Sequence, residues 1–144
     1  MPATQPRPEQ FESLAKNHRE GPLYMLNLLK FKERAEYADG RETDLSGAEA
    51  YGLYGAGVSK LIAAMGGSIE IGLATHALLI GDGDLAWDSV AVVKYPSYED
   101  FVKMVTSPAY QEIHVHRDAG LEHQLLINCL GPEQTGGAGP LLPL

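Results

Sequence analysis

Four apolar runs alternate with longer amphipathic stretches along the chain. Leu23–Phe31 is apolar at almost every position, the pattern of a strand buried on both faces, and only Asn27 interrupts it. Ser68–Ile80, Trp87–Tyr95 and Glu122–Leu130 read as three further strands. After the first strand, Ser46 and Glu49 form a capping-box pair. The helix they open runs to about Met65, with Tyr51, Tyr54, Val58, Leu61, Ile62 and Met65 on one stripe. Pro96 ends the third strand, and Ser97 with Asp100 opens a second helix buried through Tyr98, Phe101, Val102 and Val105. Ser107-Pro108 restarts a helical turn, with Tyr110, Ile113, His114, Arg117 and Leu121 along one side. The order β-α-β-β-α-β is a split βαβ arrangement. It predicts an α+β domain with a four-stranded antiparallel sheet, helices on one face, and a second face that needs a cover.

Alternation along Ser68–Ile80 places Ile69, Ile71, Leu73 and Leu79 toward the helices and Glu70, Gly72, Ala74 and His76 on the other face. A slip of one residue would reverse such an assignment. Gly81–Asp84 is a turn signal joining this strand to the next. The long helix carries a second stripe of small residues, Ala48, Gly52, Gly55, Ala56, Ser59 and Ala63. A helical glycine costs about 1 kcal/mol relative to alanine. A close backbone approach or a deep cavity would offset that cost, and a tolerated irregular helix is the plain alternative. Residues 1–21 form an N-terminal extension in which Pro8–Arg19 has helical spacing, residues 22–130 form the domain, and residues 131–144 form a flexible Gly/Pro-rich tail. Leu141, Leu142 and Leu144 in that tail are candidates for docking on a partner surface.

Length and composition suit one domain with a core large enough to fold unaided: 144 residues, 44% hydrophobic. The formal charge of −8 and the lack of a basic stripe exclude nucleic acid and anionic membrane as expected partners. Cys129 is the single cysteine, so no internal disulfide forms, and a cytoplasmic setting is expected. No apolar run has signal-peptide or membrane-spanning length.

The runs Tyr24–Phe31, Trp87–Ser97 and Ser107–Gln111 resemble the domain-of-unknown-function 1330 family over roughly residues 22–130. The segment Tyr95-Pro96-Ser97 followed by Ser107-Pro108-Ala109-Tyr110 is the most specific part. The resemblance implies a ferredoxin-like βαββαβ subunit of the dimeric α/β barrel superfamily. In that superfamily two sheets pack face to face and each subunit holds a pocket between sheet and helices. Relatives include cofactor-free monooxygenases, lactone isomerases, polyketide cyclases and haem-degrading enzymes, so the likeness prescribes a fold and no single reaction. The extension, the loop before the first helix and the tail depart from shorter family members, and nothing carries over to them.

Candidate chemistry rests on a few positions. Asn27 is an amide within an apolar strand; unpartnered, it would cost about 1–3 kcal/mol, so it bonds either a ligand or neighbouring backbone. Tyr51 and Tyr54 face the sheet; Tyr54 first and Tyr51 second can hold and polarise a carbonyl oxygen, or both simply fill the core. His114, His116 and Arg117 are the densest titratable cluster: either histidine can move a proton, and Arg117 can fix an anionic group, or all three decorate a solvated helix end. Asp88 can orient a histidine or bind substrate, or close a turn. On a helix, His114 and His116 diverge by about 200°, so no metal site is expected. The glycines around Tyr54 lack the preceding strand and the spacing of a nucleotide loop. The expectation is a homodimeric small-molecule enzyme without cofactor. Its chemistry would be proton transfer beside a carbonyl (isomerase, cyclase or lactone type, with oxygen-dependent chemistry as a variant). A non-catalytic dimeric ligand-binding protein is the alternative.

Overall fold

The computed structural model describes residues 3–136. Its strands are β1 (Leu23–Phe31), β2 (Ser68–Ala74), β3 (Ser89–Tyr95) and β4 (Leu121–Cys129). Its helices are α1 (Pro8–Asn17), α2 (Gly47–Ala64), α3 (Tyr98–Val105), α4 (Pro108–Gly120) and the short α5 (Pro132–Thr135). The strands pair antiparallel in the order β2-β3-β1-β4, the ferredoxin-like α+β arrangement. The sheet is open, with β2 and β4 at its edges.

Local capping sets the helix starts. The Ser46 hydroxyl accepts from the Glu49 amide at 3.0 Å while the Glu49 carboxylate accepts from the Ser46 amide at 2.9 Å. Ser97 and Ser107 accept from the amides of Asp100 and Tyr110 at 3.0 and 3.2 Å. Each such cap contributes roughly 0.5–2 kcal/mol. The core forms where Leu23, Met25, Val93 and Tyr95 of the sheet meet Tyr54, Val58 and Ile62 of α2 and Phe101, Met104 and Tyr110 of α3 and α4. Full burial of side chains this size stabilises by about 1.5–3 kcal/mol apiece.

The second strand departs from the expected one. It ends at Ala74, and residues 75–88 are irregular; Leu79 and Ile80 are 94% and 88% exposed. The pairing of β2 with β3 shifts between Ile69 and Ile71. That bulge leaves Ile69 beside Val93 on the helix face but puts Ile71 and Leu73 beside Val92 and Val90 on the other. Gly72 and Ala74 correspondingly turn toward the helices, opposite to strict alternation. At the near end of this loop Thr75 N–H still bonds to Asp88 O at 3.0 Å; the third strand itself begins at Ser89 rather than Trp87.

The small-residue stripe of α2 also has a different meaning. A side chain at Gly52 or Gly55 would meet nothing, so these glycines form neither a close approach nor a cavity wall. The close approaches lie elsewhere. A methyl group at Gly47 or Gly120 would collide with the other's backbone region, and one at Gly57 would strike Ile113. Gly47, Gly57 and Gly120 are what let α2 and α4 lie close together.

The face of the sheet away from the helices carries Leu26, Leu28, Ile71, Leu73, Val90, Val92, Leu125 and Ile127. Ile71, Leu73, Leu125 and Ile127 remain 42–56% exposed on the single chain. Of the tail, the described portion forms α5 and is anchored: Gln134 Nε2 donates to the Pro22 and Glu20 carbonyls at 2.7 and 3.1 Å. Leu141, Leu142 and Leu144 lie outside the described residues.

Candidate functional site

A cavity of about 850 Å³ lies between the helix face of the sheet and the helices. Its floor includes Met25, Asn27 and Tyr95, with Gln124 and Leu126 from β4. α2 adds Tyr51 and Tyr54, and α4 adds Tyr110, His114 and Arg117. Phe101, Met104 and Val105 of α3 add to the wall, as does the segment Ala3–Arg7 with Phe11 and Leu14 of α1.

His114 is the titratable group best placed for chemistry. Its Nδ1 lies 3.1 Å from Asp118 Oδ2, one helical turn on, and its side chain is about a quarter exposed. A carboxylate accepts, so a hydrogen on Nδ1 would face Asp118 and leave Nε2 its lone pair. Burial pushes the imidazole below its ordinary pKa; Asp118 opposes that shift and Arg117 adds to it. The ring is therefore neutral near pH 7, the state a general base requires.

The phenols form the second element. Tyr54 and Tyr110 hydroxyls are 3.0 Å apart. Burial, reinforced by Tyr110, raises the Tyr54 phenol far above the tyrosine range. Burial pushes Tyr51 up to about 12, with Arg117 pulling the other way, and raises Tyr95 as well. These phenols stay neutral and serve as hydrogen-bond donors rather than as sources of phenolate. Tyr51 and Tyr95 line the cavity, and the described residues offer neither hydroxyl a hydrogen-bond partner.

A polar chain crosses the floor. Asn27 Oδ1 accepts from Gln124 Nε2 at 2.8 Å, and Gln124 Oε1 accepts from Arg117 Nη2 at 2.6 Å. Arg117 Nη2 also donates to the Thr4 carbonyl at 2.6 Å, and Nη1 to Asp118 Oδ1 at 3.2 Å. Arg117 is 8% exposed, and protein oxygens already engage its guanidinium. An anionic ligand would have to displace them, so Arg117 holds the site's framework rather than a substrate carboxylate.

Of the residues singled out in the sequence, Asn27, Tyr51, Tyr54, His114 and Arg117 converge on the cavity. His116 and Asp88 do not. His116 leaves α4 on another flank, where its Nδ1 is 2.7 Å from the Tyr37 hydroxyl, beside the packed cluster of Ala35, Tyr37, Ala50 and Ala119. Two positions along a helix is about 200° of rotation, enough to send the second imidazole away. Asp88 closes the start of β3: its Oδ2 accepts from the Phe31 amide at 2.9 Å and its Oδ1 from Lys30 Nζ at 3.3 Å. Among the described residues no three His, Cys, Asp or Glu side chains converge as a metal site would need. Sequence reading missed Asp118, Gln124, Tyr95, Tyr110 and the segment Ala3–Arg7. Asp118 and Tyr110 carried a local signal, each four positions from His114 along α4.

A model of the family described as domain of unknown function DUF1330 matches residues 35–128. No curated protein matches the chain. The crystal structure of methylated RPA0582 protein is similar at 40% identity, covering 91% of this chain and 97% of that one, with a TM-score of 0.81. A second structure, of the RPA0582 protein of unknown function from Rhodopseudomonas palustris, aligns at 36% identity over 92% of this chain and 100% of that one, also at 0.81. A dimeric protein of unknown function and ferredoxin-like fold from Bacteroides fragilis aligns at 10% identity over 76% and 96% of the two chains, with a TM-score of 0.42. No helix among the described residues is long and apolar enough to cross a membrane.

Proposed function

The chain belongs to the DUF1330 family, and from that premise we propose that it is a small-molecule enzyme that moves a proton beside a carbonyl group, by side-chain acid/base chemistry without an organic cofactor. The observation that supports this reading is the His114–Asp118 pair on the wall of an 850 Å³ cavity lined with phenol donors. Nε2 of His114 takes a proton from the carbon next to the carbonyl, and Asp118 steadies the imidazolium that forms. The Tyr51 hydroxyl donates to the carbonyl oxygen as negative charge grows there, with Tyr54, paired to Tyr110, behind it. Return of the proton from Nε2 to a different carbon completes an isomerisation; attack of the enolate carbon on a second carbonyl, whose oxygen takes the proton back from Nε2, completes a cyclisation. Because Arg117 is engaged by protein oxygens, the substrate class is an uncharged carbonyl or aromatic compound.

The test is hydrogen–deuterium exchange at carbon, read by NMR, for a panel of lactones, neutral β-dicarbonyls and aryl ketones in D2O. The expected result is exchange by the wild-type chain, loss in His114→Ala and retention in His116→Ala, which lies off the cavity. Binding of a panel member with no exchange in the wild type favours the non-catalytic binder, a reading supported by how many of the cavity's polar groups already have protein partners.

The same proposal includes a homodimer. The sheet face bearing Leu26, Leu28, Ile71, Leu73, Val90, Val92, Leu125 and Ile127 is aliphatic across all four strands, and a second copy offers a self-complementary cover. A reducing cytoplasmic setting goes with the lone thiol at Cys129. Sedimentation should report a dimer that Leu125→Asp dissociates; a monomeric wild type at micromolar concentration removes the dimer.

A further inference from the structure

The segment Ala3–Arg7 contributes to the cavity wall, and three consecutive residues of it bond to the groups around the dyad. The Ala3 carbonyl accepts from the Gln124 amide at 2.9 Å. The Thr4 carbonyl accepts from Arg117 Nη2 at 2.6 Å. Gln5 Nε2 donates to Asp118 Oδ1 at 2.7 Å. Asp118 thus has its two oxygens divided between different tasks: Oδ2 meets His114 Nδ1 at 3.1 Å, while Oδ1 is held by Gln5 and, at 3.2 Å, by Arg117. A carboxylate fixed through one oxygen cannot rotate the other away from the imidazole. Pro6 and Pro8 flank Arg7, and prolines this close together bias the intervening backbone toward extended conformations. The segment therefore gives up little conformational freedom when it lies along the cavity.

We infer that Gln5 is a positioning residue for the His114–Asp118 pair, supplied by a segment whose docking both walls the cavity and sets the base. Closure over a ligand and alignment of the imidazole are then one event. When the segment lifts, the cavity opens toward solvent on that side, Asp118 loses the Gln5 donor, and Arg117 loses the Thr4 carbonyl. Asp118 is then held through Oδ1 by Arg117 alone, so the pair is held most firmly while the site is covered and bulk water is kept from the base. The role given to Gln5 rests on the reading of His114 as the base, but the contacts can be tested without any substrate.

The experiment compares the full-length wild-type chain with Gln5→Ala and Gln5→Glu, using two NMR readouts. The first is the 15N shift pair of the His114 ring, which reports which nitrogen carries the hydrogen. The second is amide hydrogen exchange at Gln124, whose N–H is covered by Ala3. The expected wild-type ring holds its hydrogen on Nδ1. In Gln5→Ala the population moves toward the Nε2–H tautomer, and exchange at Gln124 speeds by on the order of tenfold, the effect of losing one hydrogen bond to a charged acceptor. Gln5→Glu, which sets a second carboxylate against Asp118, gives the larger change in both. An unaltered tautomer in both variants, or unaltered protection at Gln124, overturns the inference. A wild-type chain that exchanges no panel compound overturns the enzymatic reading instead, and leaves these two readouts to decide the role of Gln5.

Discussion

The two flanks of α4 carry the same ingredients and do different things with them. On one flank His114 pairs with Asp118 and stands near Tyr110, facing an open volume. On the other, His116 pairs with the Tyr37 hydroxyl, with Arg41 4.5 Å from the Tyr37 ring centre, beside a packed cluster and away from the cavity. Residue type alone marks both histidines as candidates. What separates them is whether an unfilled, partly apolar space with spare hydrogen-bond donors lies beside the ring. A histidine whose surroundings are already filled has nothing to act on.

The largest expected effect that sharpens this contrast is catalytic. His114→Ala should lower carbon-proton exchange by about 10²-fold or more, the usual worth of a positioned general base, while His116→Ala leaves the rate within a few-fold. Equal losses in the two variants, measured in the same NMR assay, would erase the distinction between the flanks. Next is packing. Gly120→Ala, on the filled flank, drives a methyl group into the Gly47 carbonyl and the Tyr51 amide, and should cost about 1–3 kcal/mol, seen as a lower urea midpoint at unchanged slope. A neutral result would mean that the helices can part there.

Smaller effects test the hydrogen bonds. Tyr37→Phe should cost roughly 0.5–1.5 kcal/mol without touching turnover, whereas Tyr51→Phe should slow turnover with little loss of stability. Calorimetry and the exchange assay on both variants decide this; a reversal of the two phenotypes would move the site to the other flank. The smallest effect is a pH dependence. The folded His114 has a lowered pKa, so the unfolded chain takes up that proton first as pH falls. Its contribution to stability is full above the unfolded value of about 6.5 and drains away as pH drops through the folded value. Urea titrations of wild type and His114→Gln between pH 7 and 5 should diverge in that sense, with the wild type losing more. Parallel curves would place the imidazole in ordinary solvent.

How much was legible follows from the range of the interactions. Ser46, Ser97 and Ser107 announced their helices because a cap is a bond between residues three apart. The strand order followed from hydrophobic patterning and topology. The face of Ile71 and Leu73 was not legible, because the bulge that turns them arises from pairing with Val92 and Val90 in β3. Gly47 and Gly120 looked ordinary for the same reason: Gly120 is needed because the Gly47 backbone is near, and Gly47 because the backbones of Lys32 and Gly120 are. In the site, Asn27 was conspicuous as an amide in an apolar strand, but its partner Gln124 is chosen by strand register, as is the convergence of Tyr95. Gln5 lies 113 positions from Asp118, and no local pattern could have linked them.

The hydrogen bond from the Gln124 amide to the Ala3 carbonyl falls on β4, at an outer margin of the sheet. An outer strand with free amides invites foreign strands to add on, and runaway stacking begins in that way. Here the Ala3 carbonyl of the same chain takes up one of those positions. A foreign strand adding along β4 would first have to displace the Ala3 segment.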